Sequence, residues 1–265
     1  MKAKKRKESW NPNRKNLSLI REIIFIFSAE VDELKDWFLK YGESHQYRLA
    51  FDLDYLDELS LTENQKVLEI GALPFILTQA MVKKGLDVSA VDVNPLRMNK
   101  ILTRYNLRVI PCDVETEKLP FPDNSFDVVL LNEVFEHLRI NPIFTHQEIK
   151  RVLKVGGKLF ISTPNLTSLK GWYSLIFKNK APNTIYGEYE KLTKLGHMGH
   201  VREYTPTEIT EFLEALDFKI NRVIYRGLPT SATKWKQLSA NIILTIFPAL
   251  RRYFTVIAEK KDVHQ

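Results

Sequence analysis

The sequence is poor in cysteine, in long apolar runs and in repeats, and each shortage excludes something. Its single cysteine, Cys112, rules out an internal disulfide and any site built from clustered thiolates, and it suits a reducing, cytoplasmic setting. No apolar run reaches the ~18–20 residues needed to span a bilayer; the longest, 240–250 (ANIILTIFPAL), is broken by Pro248. A basic start followed by LSLIREIIFIF has the outline of a signal peptide. Arg21 and Glu22 interrupt it and no small-residue cleavage site follows, so the segment reads as an amphipathic helix. No repeat is visible. Positive charge is also missing where the pI of 9.3 suggests it should be. Residues 16–225 hold 25 basic and 29 acidic side chains, whereas 1–15 and 226–261 each carry a balance of +6. A chain-wide nucleic-acid footprint is therefore excluded as the meaning of the +7 net charge.

What is present is a regular alternation. Residues 1–16 read as a flexible basic arm and 17–60 as helices, with apolar residues every three or four positions in 31–41 and 47–59. From 61 onward the texture changes. KVLEI (66–70), DVSAVDV (87–93), RVIPCDV (108–114), FDVVLLNE (126–133) and KLFISTP (158–164) read as strands. Helical segments lie between them, including 95–106 and HQEIKRVLKVGG (146–157) with a glycine stop. TPTEITEFLEAL (205–216) opens with a capping-box signature, and FKINRVIY and YFTVIAEK supply two last strands. The expected fold is α/β: a Rossmann-like, seven-stranded, mostly parallel sheet with helices on both faces and the last strand antiparallel. A domain over 61–265 would then carry two insertions, 165–200 and 227–250, rich in aromatic, apolar and basic residues. Stretches of this length usually form caps or binding elements.

The strand ends carry the chemistry. In VLEIGALPF an acidic residue closes the first strand and Gly71 lets the chain turn beside a ligand. Asp92 ends the next strand about 22 residues on, where a carboxylate can hold both hydroxyls of a ribose. CDVE (112–115) and LPFPDNSFDVVLLNEVFEHL (119–138) add polar residues at the same edge, which defines a crevice for a nucleoside-type ligand. These segments, with LKVGGKLFISTPN and HVREYTPTEI, resemble the class I S-adenosylmethionine (SAM)-dependent methyltransferases, in particular the branch with the ubiquinone-biosynthesis-type O-methyltransferases (methyltransferase types 11 and 23). The resemblance covers roughly 45–225 plus the last strand. It implies SAM as cofactor, with Glu69, Gly71 and Ala72 flanking the methionine part and Asp92 and Val93 at the ribose. It also implies Asp113 and Val114 at the adenine and Asn132 and Glu133 beside the sulfonium. One departure is plain: the family's turn usually reads G-x-G, whereas here Ala72, Leu73 and Pro74 follow Gly71.

SAM brings an activated methyl, so a hydroxyl acceptor needs alignment and help in losing its proton. Within NEVFEHL, a helix would set Glu133, Glu136 and His137 on one face, and GHMGHVREYT adds His197 and His200. Two readings stand side by side. In one, His137 or His200 acts as base or cofactor neighbour. In the other, Glu133, Glu136, His137 and His200 hold a divalent ion such as Mg or Mn, as similar sets do in some relatives. The histidines of the 196–200 turn face substrate or bond locally. Arg48 meets the SAM carboxylate or forms a surface ion pair with Asp52.

NEVF stands where amino-methylating DNA enzymes carry an NPPY-type tetrapeptide, so hydroxyl methylation is expected. Residues 150–202 hold ten Lys/Arg against Glu188 and Glu190, which suits an anionic acceptor with an apolar part: a small molecule, a sugar or a lipid-linked glycan. Residues 234–252 have basic flanks around an apolar centre. They are read either as a helix packed on the domain or as a peripheral membrane contact. A metal-assisted RNA methyltransferase and a non-catalytic module that kept the fold are the two alternatives.

Overall fold

The computed structural model describes residues 12–31, 34–62, 64–180, 184–195, 199–227 and 234–262. Most of the basic arm and His197 lie outside these residues. Two long helices come first. α1 (Arg14–Ser28) is capped by Asn13, whose side chain accepts the Lys15 N–H at 2.9 Å. The helix thus starts inside the expected arm, because Asn13 supplies the acceptor that the first turn needs. α2 (Lys35–Glu58) runs unbroken through 42–46, where the sequence pattern lapses. Gly42 sits mid-helix because a Cβ there would come within 2.9 Å of Ile24 on α1, so the two helices close on each other at that point.

The sheet contains β1 (Lys66–Ile70), β2 (Asp87–Asp92), β3 (Val109–Pro111), β4 (Phe126–Asn132), β5 (Leu153–Pro164), β6 (Phe218–Arg226) and β7 (Tyr253–Lys260). Their order is β3-β2-β1-β4-β5-β7-β6, and β7 alone runs antiparallel to its neighbours. β1 and β4 are buried along nearly their whole length because both faces are covered, as expected for central parallel strands. α3 (Ile76–Lys83) and α4 (Asn99–Tyr105) cross over between the first strands. α5 (Pro142–Val152) precedes β5, and α8 (Pro206–Ala215) precedes β6. The Thr205–Glu208 capping box forms in full. Phe27, Phe38, Leu53, Phe75 and Met81 fill the core between α1–α3 and the sheet; Leu131, Ile161, Leu213 and Phe254 fill the other face.

One expected boundary is wrong. The helix expected to reach the glycine pair at 156–157 ends at Val152, and LKVGG already belongs to β5. The pair makes an irregularity at the strand's start: Gly156 has φ +75°, and a Cβ on Gly157 would lie 2.8 Å from the Lys154 carbonyl. The two long insertions hold α6 (Leu169–Lys178) and α7 (Ile185–Leu195) in the first and α9 (Lys234–Ile246) in the second. Both leave the carboxyl edge of the sheet. Asn165 ties them there, donating its side-chain N–H to the carbonyls of Ala249 and Arg251.

Candidate active site

β1 and β4 run in parallel register and end side by side, Ile70 beside Leu131, so Gly71 and Asn132 face one crevice. α2 closes it from above. The resulting cleft is lined by Tyr41, Arg48, Glu69, Gly71, Ala72 and Asn132, among others. Gly71 has φ +72°, and a Cβ on it would stand 2.3 Å from Val134 Cγ2, so glycine is required on two counts. Leu73 occupies the place of the second glycine in the G-x-G turn, Ala72 before it is buried, and the Pro74 turn passes directly into α3.

Charge in the cleft is concentrated and partly orphaned. Arg48 is buried and donates through Nη2 to the Tyr41 hydroxyl at 3.0 Å, while its Nε and the Asn132 carbonyl oxygen have no partner. Burial alone would lower the Arg48 pKa; Tyr41, Glu133 and Asp52 outweigh it, and the guanidinium stays firmly charged. Glu69 is buried and accepts the Thr78 hydroxyl at 2.6 Å. Burial, helped by Asp52 and Asp92, pushes its carboxyl up to about 8. Burial and Arg48 together drive His45, one turn before Arg48, down to about 3, so it stays neutral.

Asp92 stands at the end of β2, one carboxylate oxygen accepting the Leu73 N–H and the other the Asn94 N–H, both at 3.0 Å. Val93 beside it is exposed. Farther along the edge, Asp113 accepts the Glu115 N–H at 3.1 Å, and the Val114 carbonyl accepts the Thr145 hydroxyl at 2.9 Å.

Past β4 the expectation of a helix face fails. Glu133 takes a left-handed φ of 57°, and only the 3₁₀ turn Phe135–His137 follows. A three-residue turn does not bring i, i+3 and i+4 onto one stripe. The Glu133 carboxylate is held instead by the Ser162 hydroxyl at 3.2 Å. Glu136, His137 and His200 do converge, their ligand atoms within 4.8 Å of one another. The two imidazoles meet edge to face at 5.0 Å, and His200 Nε2 lies 3.9 Å from Glu136 Oε1. His137 Nδ1 faces the Gly199 carbonyl at 3.1 Å. A carbonyl only accepts, so Nδ1 carries a proton in this bond. Glu136 is fully buried, accepts the Thr163 hydroxyl at 2.9 Å, and has its other oxygen unpartnered. Burial and the neighbouring Glu133 raise its carboxyl well above the usual range. His200 is set in place by α7: its N–H donates to Glu188 Oε2 at 2.7 Å, and Gly199 has no room for a Cβ beside that carboxylate.

Beneath these groups lies a buried network that sequence reasoning missed. Arg226, at the end of β6, donates to Asp52 on α2 and to the Ser162 hydroxyl on β5, and Asn132 Nδ2 donates to the same Asp52 at 3.3 Å. Asp52 thus pairs with Arg226, not with Arg48 as a surface pair. The only sequence signal was a polar residue at a strand end, and 174 residues separate the partners.

Comparison with known proteins agrees with this architecture. A family model described as a methyltransferase domain matches residues 68–161, from β1 into β5. The ubiquinone biosynthesis O-methyltransferase of Idiomarina loihiensis is 29% identical over 207 residues, 75% of this chain and 80% of that protein. An uncharacterized methyltransferase of Mycobacterium bovis is 29% identical over 142 residues, 52% of this chain; the chain spans 57% of that relative's length. Among solved structures, a SAM-dependent methyltransferase from Archaeoglobus fulgidus superposes with TM-score 0.56 at 19% identity, covering 84% of this chain and all of that one. Residues 68–161 thus match a methyltransferase domain, and the fold is the one seen in solved SAM-dependent methyltransferases.

Proposed function

We propose that the protein transfers the methyl group of SAM to a hydroxyl of a small-molecule acceptor, a sugar or lipid-linked glycan among them. The observation that carries the cofactor half is the pair of orphaned buried groups in the cleft, Arg48 Nε and Asn132 Oδ1. An amino-acid zwitterion supplies their partners, its carboxylate to the guanidinium and its ammonium to the amide oxygen. Leu73 replaces the second glycine of the turn and lines the cleft together with Ala72. The Asp92 oxygens each keep a lone pair for a ribose hydroxyl beyond the backbone N–H they already accept. Val93, Asp113 and Val114 continue the edge toward the adenine.

SAM, when bound, supplies a sulfonium methyl open to in-line attack. The chain's own work is to hold the acceptor and move its proton. His137, which in its neutral form carries the lone pair on Nε2, is the proposed general base; His200 and Glu136 orient it and exclude water. Hydroxyl chemistry is also what the Idiomarina relative is named for. The cluster supports a second reading: one carboxylate oxygen and two imidazole nitrogens within 4.8 Å fit a divalent cation such as Mg or Mn, which would lower the acceptor hydroxyl's pKa. Glu133, bound to Ser162, is not part of that set.

Isothermal titration with SAM tests the cofactor half; no binding at millimolar cofactor would leave a non-catalytic fold. A labelled-methyl screen over glycan, lipid and RNA fractions then identifies the acceptor. His137→Ala is expected to lower methyl transfer at least ~100-fold with SAM affinity little changed. If transfer by the native enzyme is abolished by EDTA and restored by Mn, the metal reading replaces the base reading.

A further inference from the structure

We propose that α6 and the end of α9 form a surface that docks the protein on an anionic phospholipid bilayer. α6 is built inside out for a soluble helix. Gly171 and Ser174 are its buried residues, and a Cβ on Gly171 would lie 1.8 Å from the Leu166 carbonyl, so the small side face is pressed onto the protein. The large side chains face water: Trp172 is 45%, Tyr173 53%, Ile176 64% and Phe177 73% exposed. The end of α9 repeats the pattern, with Leu244 buried and Ile246 and Phe247 64% and 57% exposed. The exposed aromatics alone leave on the order of 400 Å² of ring surface in water.

Position and charge decide what covers it. The Asn165 bonds to Ala249 and Arg251, and the Pro164–Tyr253 register, bring both insertions to the carboxyl edge of the sheet, where the cleft opens. Residues 165–187 contain the exposed Lys170, Lys178 and Lys180; residues 227–252 contain Lys234, Lys236 and the exposed Arg252, with Arg251 turned inward onto the Leu244 and Tyr225 carbonyls; neither stretch contains an acid. Apolar helix faces in stretches whose only charged residues are cations complement a bilayer whose surface is negative and whose interior is apolar. A second copy of the chain would bring the same cations against each other. Among the described residues no helix is long and apolar enough to cross the membrane, so the surface lies on it. This inference stands apart from the proposed reaction.

The test is vesicle co-sedimentation of the full chain. Binding is expected to vesicles of phosphatidylcholine with one quarter phosphatidylglycerol, to weaken with salt, and to be lost on phosphatidylcholine alone. Ile176→Ser and Phe177→Ser, at exposed positions, should each lower the partition coefficient about tenfold. Both should leave SAM titration and thermal unfolding unchanged, which separates failure of docking from failure of the cofactor site. No binding to the anionic vesicles, or equal binding to both kinds, overturns the proposal. So does a native dimer that Phe177→Ser converts to monomer.

Discussion

The buried pair Arg226–Asp52 offers the sharpest test of how the site is held. Both side chains are 4% exposed, and each serves more than one element: Arg226 joins β6 to α2 and β5, and Asp52 joins α2 to β6 and β4. Arg226→Met removes the cation and leaves a carboxylate in the interior with only the Asn132 amide. Losing one partner of such a pair costs about 3–5 kcal/mol, because the remaining charge is stranded. Against a total stability of ~5–15 kcal/mol this is a large fraction. It corresponds to roughly 10 °C in Tm for a chain of this size. Asp52→Asn strands the guanidinium and is expected to cost a similar amount. The double variant Asp52→Asn with Arg226→Met strands neither charge, so its loss should fall short of the sum of the singles by about 2 kcal/mol or more. Urea unfolding followed by tryptophan fluorescence gives all three values at one pH. Additive singles, or an Arg226→Met loss under ~1 kcal/mol, would refute the claim that this pair clamps α2 to the sheet edge. Since Arg48 rides on the same helix, SAM affinity should fall with Arg226→Met while the methyl-donor site itself is untouched in sequence.

Two further outcomes follow from the cleft. Gly71→Ala must place a Cβ 2.3 Å from Val134 Cγ2 at φ +72°, so it should destabilise by about 1–3 kcal/mol and weaken SAM binding, both visible by thermal shift with and without cofactor. Burial pushes the Glu69 carboxyl up to about 8. A cationic ammonium binding beside it favours the ionised form, so affinity should rise roughly tenfold per pH unit from 6 toward 8 and level off above, with a proton released on binding. Titration in buffers of different ionisation heat reads that proton, and a pH-independent affinity without proton release would mean that Glu69 does not face the ligand.

The strands were legible because the central ones are marked twice, by an apolar run and by the polar residue that ends it: Glu69 before Gly71, Asp92, Asn132. The same logic located Glu136, His137 and His200 without foreseeing how they meet. Their convergence depends on Glu133 adopting a left-handed φ and on Glu188 bonding the His200 N–H, and neither leaves a periodic trace. The glycine pair at 156–157 misled for a related reason: glycine ends helices and also makes strand irregularities, and only the partner strand decides which. Asp52, Ser162, Thr163 and Arg226 were illegible as a group. Each is an ordinary polar residue in its own segment, and their meaning comes from a sheet edge that assembles them across the whole chain.

The first insertion begins and ends at one place. Asn165 bridges to Tyr204, and the Leu166 N–H donates to the Tyr204 carbonyl at 3.0 Å, so everything between is a loop tied off at its neck. Closing a longer loop costs little once the neck is made, about 0.6 kcal/mol per doubling of length. Helices can therefore be added, shortened or exchanged above that knot without disturbing the sheet or the cofactor cleft. On the proposed reading, acceptor preference can drift in this segment while the cleft at the ends of β1 and β4 stays fixed, and a graft of 165–204 from a relative must keep Glu188 and His200, which complete the cluster with Glu136 and His137.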